Sequence, residues 1–211
     1  MVHLALQGPH QTWLRGERSQ SNYQNNQGVY LPPTATSQGN LGPPGLRLAP
    51  LEVGSVKITT NGALNFDEGR GGVGGVAHSS TTLLGSWCKP YFGVSDPLMM
   101  ECLSLRDGVR FAAIRGLSHV IMEVDCLELV MFWKTRHNSR SVVAPILLEI
   151  GEVSNSFTLF DVQHVNQLAN LPAHLCAKHA CTLNITDCWL EDTPSFLVTS
   201  LLADYLRNAF V

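Results

Sequence analysis

From Val56 onward the chain carries apolar residues at regular intervals, and the interval changes along its length. VKITTNGAL alternates as a strand does, a glycine-rich turn follows, and GGVGGVAHSS and TTLLGSWCK read as two further strands joined through Ser79 to Thr81. These three form a meander. In DPLMMECLSLRDGVRFAAIRG the period lengthens: Leu98, Cys102, Leu105, Val109 and Ala112 or Ala113 recur at steps of four and three, the stripe of a helix that Gly116 closes. HVIMEVD predicts a short buried strand, CLELVMFWKT a short helix, VVAPILLEIGEV a helix with Val143, Ile146, Leu147 and Ile150 on one side, and TLFDVQHV a fifth strand. A helix starting at Asn170, a good capping residue, with Pro172 in its first turn, runs through LPAHLCAKHACT, and another lies around FLVTSLLADYL. Three strands, helix, strand, two helices, strand, helix is the order of an α/β fold with a mixed five-stranded sheet flanked by helices.

The same pattern divides the chain. Residues 1–50 are rich in Gln, Asn, Ser, Gly and Pro and offer no repeating apolar face, so they read as a disordered polar arm that cannot offset its ordering entropy. The alternative for this arm is a docking peptide around Tyr23 or Tyr30. The folded domain is expected over 51–182, followed by a C-terminal extension, 183–211, with a short helix. A total of 211 residues with 45% hydrophobic content is enough for one sizeable core. No run of about 18 apolar residues is present, and MVHLALQ has neither a basic leader nor a sufficient apolar stretch; an intracellular protein without a membrane span is expected.

Charge narrows the partners. The chain holds 14 basic and 17 acidic residues; setting aside Arg15, Arg18, Arg47 and Glu17 of the arm leaves 11 against 16. Strong nonspecific affinity for a polyanion needs clustered cations, and the nearest to a cluster is Arg106, Arg110 and Arg115 with Lys134, Arg136 and Arg140. Any nucleic-acid affinity is therefore expected to be modest.

Three motifs suggest chemistry that their context removes or leaves open. Gly69, Gly71 and Gly74 spell G-x-G-x-x-G, but a turn precedes them and an alternating segment follows, whereas a dinucleotide fingerprint needs a strand before and a helix after. His174, Cys176, His179 and Cys181 invite a zinc site, yet on a helix they fall on two faces and cannot converge. The six cysteines follow no C-x-x-C pattern and sit inside regular elements, as buried thiols rather than disulfides or zinc ligands. Trp87, Trp133 and Trp189 read as core residues, with stacking on nucleic acid as the alternative for Trp133.

Four segments carry a more specific signal: ITTNGA (58–63), ECLSLRDG (101–108), VIMEVDC (120–126) running into LELV, and HVNQLANLPAH (164–174) followed by AK. With the element order, they resemble type I ribonuclease H, and within it the reverse-transcriptase-like ribonuclease H domains abundant in plants, many of them remnants of retroelements. The resemblance covers about residues 55–182 and implies a ribonuclease H-like fold. It implies two-metal hydrolysis of the RNA strand of an RNA–DNA hybrid, with carboxylates holding two magnesium ions, or manganese in their place. Mapped residue by residue, the helix acid falls on Glu101 and the strand acid on Asp125, the metal ligands that remain. The first-strand acid falls on Asn61 and the acid opening the last helix on His174, so two of four carboxylates are replaced.

His164 matches a family histidine that assists proton movement or product release; the alternative is a strand-end histidine with one hydrogen bond. Glu123 shares a strand face with Asp125 and either replaces a lost ligand or pairs with a neighbouring cation. The glycines of GRGGVGG, residues 69–75, either bring backbone close to nucleic acid, as the family does, or make a tight hairpin. Three functions follow as expectations: an RNA–DNA hybrid endoribonuclease, a module that binds hybrid or double-stranded RNA without cutting it, and a protein-interaction scaffold of retroelement origin.

Overall fold

The computed structural model describes residues 54–80, 82–136, 140–190 and 192–209, with 205–209 as backbone only. The expected arm, including Tyr23 and Tyr30, lies outside the described residues. Strands β1 (Val56–Asn65), β2 (Arg70–His78) and β3 (Leu83–Phe92) form the antiparallel meander. Helix α1 (Pro97–Ile114) leads to β4 (His119–Val124), then α2 (Leu127–Lys134) and α3 (Ala144–Ser154) lead to β5 (Leu159–His164). Helix α4 (Leu171–Leu183), β6 (Asp187–Trp189) and α5 (Ser195–Ala209) complete the order.

The sheet runs β5-β4-β1-β2-β3-β6, with β4 parallel to both β1 and β5 and the other pairs antiparallel. It has six strands rather than five: β6, DCW, is too short to show alternation in sequence and adds to β3 at Ser86, Trp87 and Cys88. The segment beyond residue 183 thus contributes a strand and a helix to the fold. Among the described residues, no helix is long and apolar enough to cross a membrane.

Two apolar layers hold the sheet. The larger joins one face to α1, α2 and α3 through Ile58, Trp87, Leu105, Phe111, Met122, Leu147 and Ile150, with the Trp87 and Phe111 rings stacked 4.5 Å apart. The smaller joins the other face to α4 and α5 through Val76, Cys88, Cys176, Ala180 and Leu197. Helix α4 can lie this close because Gly72 and Gly74 have no side chains: a Cβ at Gly72 would stand 2.3 Å from the Ala177 carbonyl oxygen, and one at Gly74 2.4 Å from Cys176 Cβ. The glycine run therefore serves the approach of a helix to the sheet, with Gly69, at φ +58°, making the turn before it.

Helix starts and stops follow the sequence with one change. Asp96 caps α1 through its carboxylate, and Gly116 ends it at φ +66°. Asn170 stands at the start of α4, but its side chain caps nothing; it is fully buried and, among the described residues, neither polar atom has a partner. The turn is made instead by Asn166, whose side-chain oxygen accepts from the Ala169 N–H at 3.0 Å. Of the thiols, Cys88, Cys102, Cys176 and Cys181 are buried, Cys126 and Cys188 partly so, and all are free.

Candidate functional site at the strand ends

The face that receives α4 carries Lys57, Thr59 and Asn61 on β1 and Glu123 on β4, because alternate residues of a strand share a face and β1 lies beside β4 with Thr59 against Glu123. Asp125 follows directly after β4, and His174 sits in the first turn of α4. Across 64 residues of sequence, Asn61 Nδ2 donates to Asp125 Oδ1 at 3.1 Å; across 113, His174 Nδ1 stands 3.1 Å from Asn61 Oδ1. Asn61 is 3% exposed, Asp125 half-buried and His174 exposed. Three of the four positions singled out in the sequence are thus joined in one hydrogen-bonded line.

Glu101, the fourth, comes from α1. The Gly62 backbone bonds to its carboxylate, yet Oε2 is buried with no partner. Burial first, and then the nearby Asp125 charge, push the carboxyl up to about 8. A groove of about 730 Å³ opens here, between the end of β1 with its turn (Gly62 to Asp67), the start of α1 (Pro97, Met100, Glu101) and α4 (His174, Lys178, Cys181, Thr182).

The other candidates fall elsewhere. Glu123 is buried at 6% exposure, with Oε1 2.9 Å from Lys57 Nζ and Oε2 accepting from Thr59 Oγ1 at 3.2 Å. Of its two expected roles, pairing with a cation is the one the geometry fills. His164 lies exposed at the end of β5, beside Val124 in the ladder, and its ring makes no hydrogen bond among the described residues. Trp133 is 7% exposed, edge-on to Phe160, with the Arg136 guanidinium 3.7 Å over its ring, so its face is already covered. His179 stacks on Phe196 and Cys181 donates to the Arg70 carbonyl, so both are engaged away from any shared ligand with His174.

Three of the six cations of the supposed cluster are committed to partners within the chain. Arg106 bonds Tyr91 and Asp107, Arg110 pairs with Glu149, and Arg136 bonds the Trp133 carbonyl. Lys178, by contrast, lines the groove exposed and forms no ion pair among the described residues. Sequence reading passed over Lys57, Thr59, Lys178 and the Tyr91–Asp107 pair. For the first two, the strand alternation that places Lys57 and Thr59 beside Asn61 was the available signal.

The donor set does not fit a pair of hard cations. Such ions need several anionic oxygens, whereas Asn61 turns its amide nitrogen to Asp125 and its oxygen to His174. Among the described residues, no group of three or more His, Cys, Asp or Glu side chains could hold a metal. At one corner Glu101 Oε2 is buried without a partner among the described residues, with the Asp125 charge nearby.

The architecture is that of a ribonuclease H-like fold. The ribonuclease H1 of the halophilic archaeon Halobacterium salinarum NRC-1 is similar at 16% identity and TM-score 0.57, over 63% of this chain and 100% of that one. The N-terminal ribonuclease H domain of rv2228c from Mycobacterium tuberculosis is similar at 18% and 0.56, over 61% and 94%. LC11-RNase H1, solved in complex with an RNA/DNA hybrid, is similar at 13% and 0.55, over 62% and 99%. At these identities the likeness concerns the fold. No curated protein matches in sequence. The reverse transcriptase-like family matches residues 59–180, more than half of the chain, and the chain belongs to that family.

Proposed function

We propose that the chain is a nucleic-acid-binding module that engages RNA–DNA hybrid or double-stranded RNA with modest affinity and no longer performs two-metal hydrolysis. The observation that carries this reading is the direct hydrogen bonding of His174 to Asn61 and of Asn61 to Asp125, where paired ions would need carboxylate oxygens. A groove at the strand ends with Lys178 on its wall supports binding, as does the ability of a protein of the same fold, LC11-RNase H1, to hold a hybrid. The commitment of Arg106, Arg110 and Arg136 to internal partners supports modest affinity.

The test is a labelled RNA–DNA hybrid with magnesium or manganese, comparing the native chain, Asn61→Asp, and Asn61→Asp with His174→Asp. Binding without cleavage by the native chain, and cleavage regained in the double variant, is the expected result. Native cleavage that Asp125→Asn abolishes would sink the reading. A second reading, a protein-interaction scaffold, draws on Leu127 and Met131, 57% and 62% exposed at i and i+4 on α2. It takes over if neither the native chain nor the double variant binds a duplex.

A further inference from the structure

The geometry points to a role for the two replaced positions beyond the loss of ions: they form a relay that holds the hydrogen of His174 on Nδ1 and presents Nε2 to the groove as the acceptor for a ligand hydroxyl, the ribose 2′-hydroxyl of an RNA strand. A carboxylate only accepts hydrogen bonds, so the Asn61 group 3.1 Å from Asp125 Oδ1 is its NH2. The amide is planar, with its oxygen opposite, and that oxygen meets His174 Nδ1 at 3.1 Å. An amide oxygen also only accepts, so Nδ1 carries a hydrogen. Which imidazole nitrogen is bare is set by the bond the other one makes; in the uncharged ring this leaves Nε2.

The relay has little freedom to turn over. Asn61 is 3% exposed and sits in the ladder opposite Gly74, whose place against α4 is fixed by close contact with Cys176. Flipping the amide would set an oxygen against the Asp125 carboxylate and an NH2 against the Nδ1 hydrogen, losing both bonds. At the other end His174 is exposed and lines the groove together with Lys178.

The ligand class follows from the acceptor. A bare imidazole nitrogen offers nothing to a phosphate oxygen, whereas a hydroxyl can donate to it. Of the groups along a nucleic-acid backbone, the 2′-hydroxyl is the donor that DNA lacks. Lys178, farther along the same wall, supplies the positive charge for phosphate. The assignment rests on the nucleic-acid reading of the groove, and the experiment has one arm for the relay and another for the ligand.

The relay is read by long-range proton–nitrogen correlation spectra of the full chain labelled with nitrogen-15. We expect His174 in the Nδ1–H pattern, moving toward Nε2–H in Asn61→Leu, which keeps the shape of Asn61 without its amide. Should that variant lose its fold, Asp125→Asn serves: an amide at 125 that can donate no longer dictates which way Asn61 faces, and the Nδ1–H population falls. An Nε2–H pattern in the native chain, or one indifferent to both substitutions, overturns the relay. For the ligand, His174→Phe is expected to weaken binding of an RNA–DNA hybrid about fivefold, the worth of one hydrogen bond, and to leave binding of the same sequence as DNA duplex unchanged. Equal loss on both duplexes, or none on the hybrid, overturns the hydroxyl assignment. If the native chain binds neither duplex, the nucleic-acid reading falls and takes that assignment with it, while the spectra still decide the relay.

Discussion

Helix α1 carries two acids within two turns of each other, and the fold treats them in opposite ways. Asp107, 2% exposed, accepts from Tyr91 Oη at 2.8 Å and Lys89 Nζ at 3.4 Å, and Arg106 reaches it at 3.2 Å. Glu101 has the Gly62 backbone on its carboxylate, no partner for Oε2, and the Asp125 charge nearby. A buried carboxylate costs several kcal/mol unless opposite charge and hydrogen bonds compensate it. Asp107 is compensated on every side by groups of the chain itself. Glu101 is left, among the described residues, with one backbone hydrogen bond and a like charge beside it.

Among substitutions at these two acids, the largest effect belongs to Asp107. Asp107→Ala should lower unfolding free energy by about 3 kcal/mol in urea denaturation, because it strands Lys89 and Arg106, which are 21% and 16% exposed. A loss as large from Glu101→Ala would erase the contrast.

Glu101→Gln should act in the other direction, and only at high pH. With the carboxyl pushed up to about 8 from an ordinary 4.5, the folded chain binds the extra proton between those values. Stability from this group is complete below about 4.5 and is lost as pH rises through about 8. The variant should match the native chain at pH 4 and exceed it at pH 9 by on the order of 2 kcal/mol in thermal or urea unfolding. A gain independent of pH would show that Glu101 is not the titrating group.

Two smaller effects sharpen the same contrast. Lys57→Met should cost about 1–2 kcal/mol, since it leaves buried Glu123 with the Thr59 hydroxyl alone. Arg110→Ala, which removes a partner of Glu149 where both side chains are about a third exposed, should cost no more than about 0.5 kcal/mol. Denaturation midpoints under one buffer check both.

Much of the framework was legible beforehand because its signals are local. The four-and-three stripe of α1, the glycine that ends it, and the alternation of β1 each need only a window of residues. The short strand β6 escaped because three residues show no period, and the Asn170 side chain leaves α4 uncapped while Asn166 closes the turn before it, because turn geometry, not residue type, chooses among neighbouring Asn residues. The glycine run was read as an approach to nucleic acid or as a hairpin. That it accommodates α4 depends on residues about a hundred positions away.

The sequence by itself determined the order of the elements from β1 to α4, the likeness to ribonuclease H, and the presence of Asn61 and His174 where that likeness expects acids, since residue types and local periods are written in the chain. Only the tertiary structure decided what those two side chains do. It carried His174 to Asn61 and Asn61 to Asp125, gave Glu123 to Lys57, and left Glu101 Oε2 without a partner. The reason is physical: a hydrogen bond depends on separations of about 3 Å between atoms, and packing of strands and helices far apart in sequence is what sets those separations.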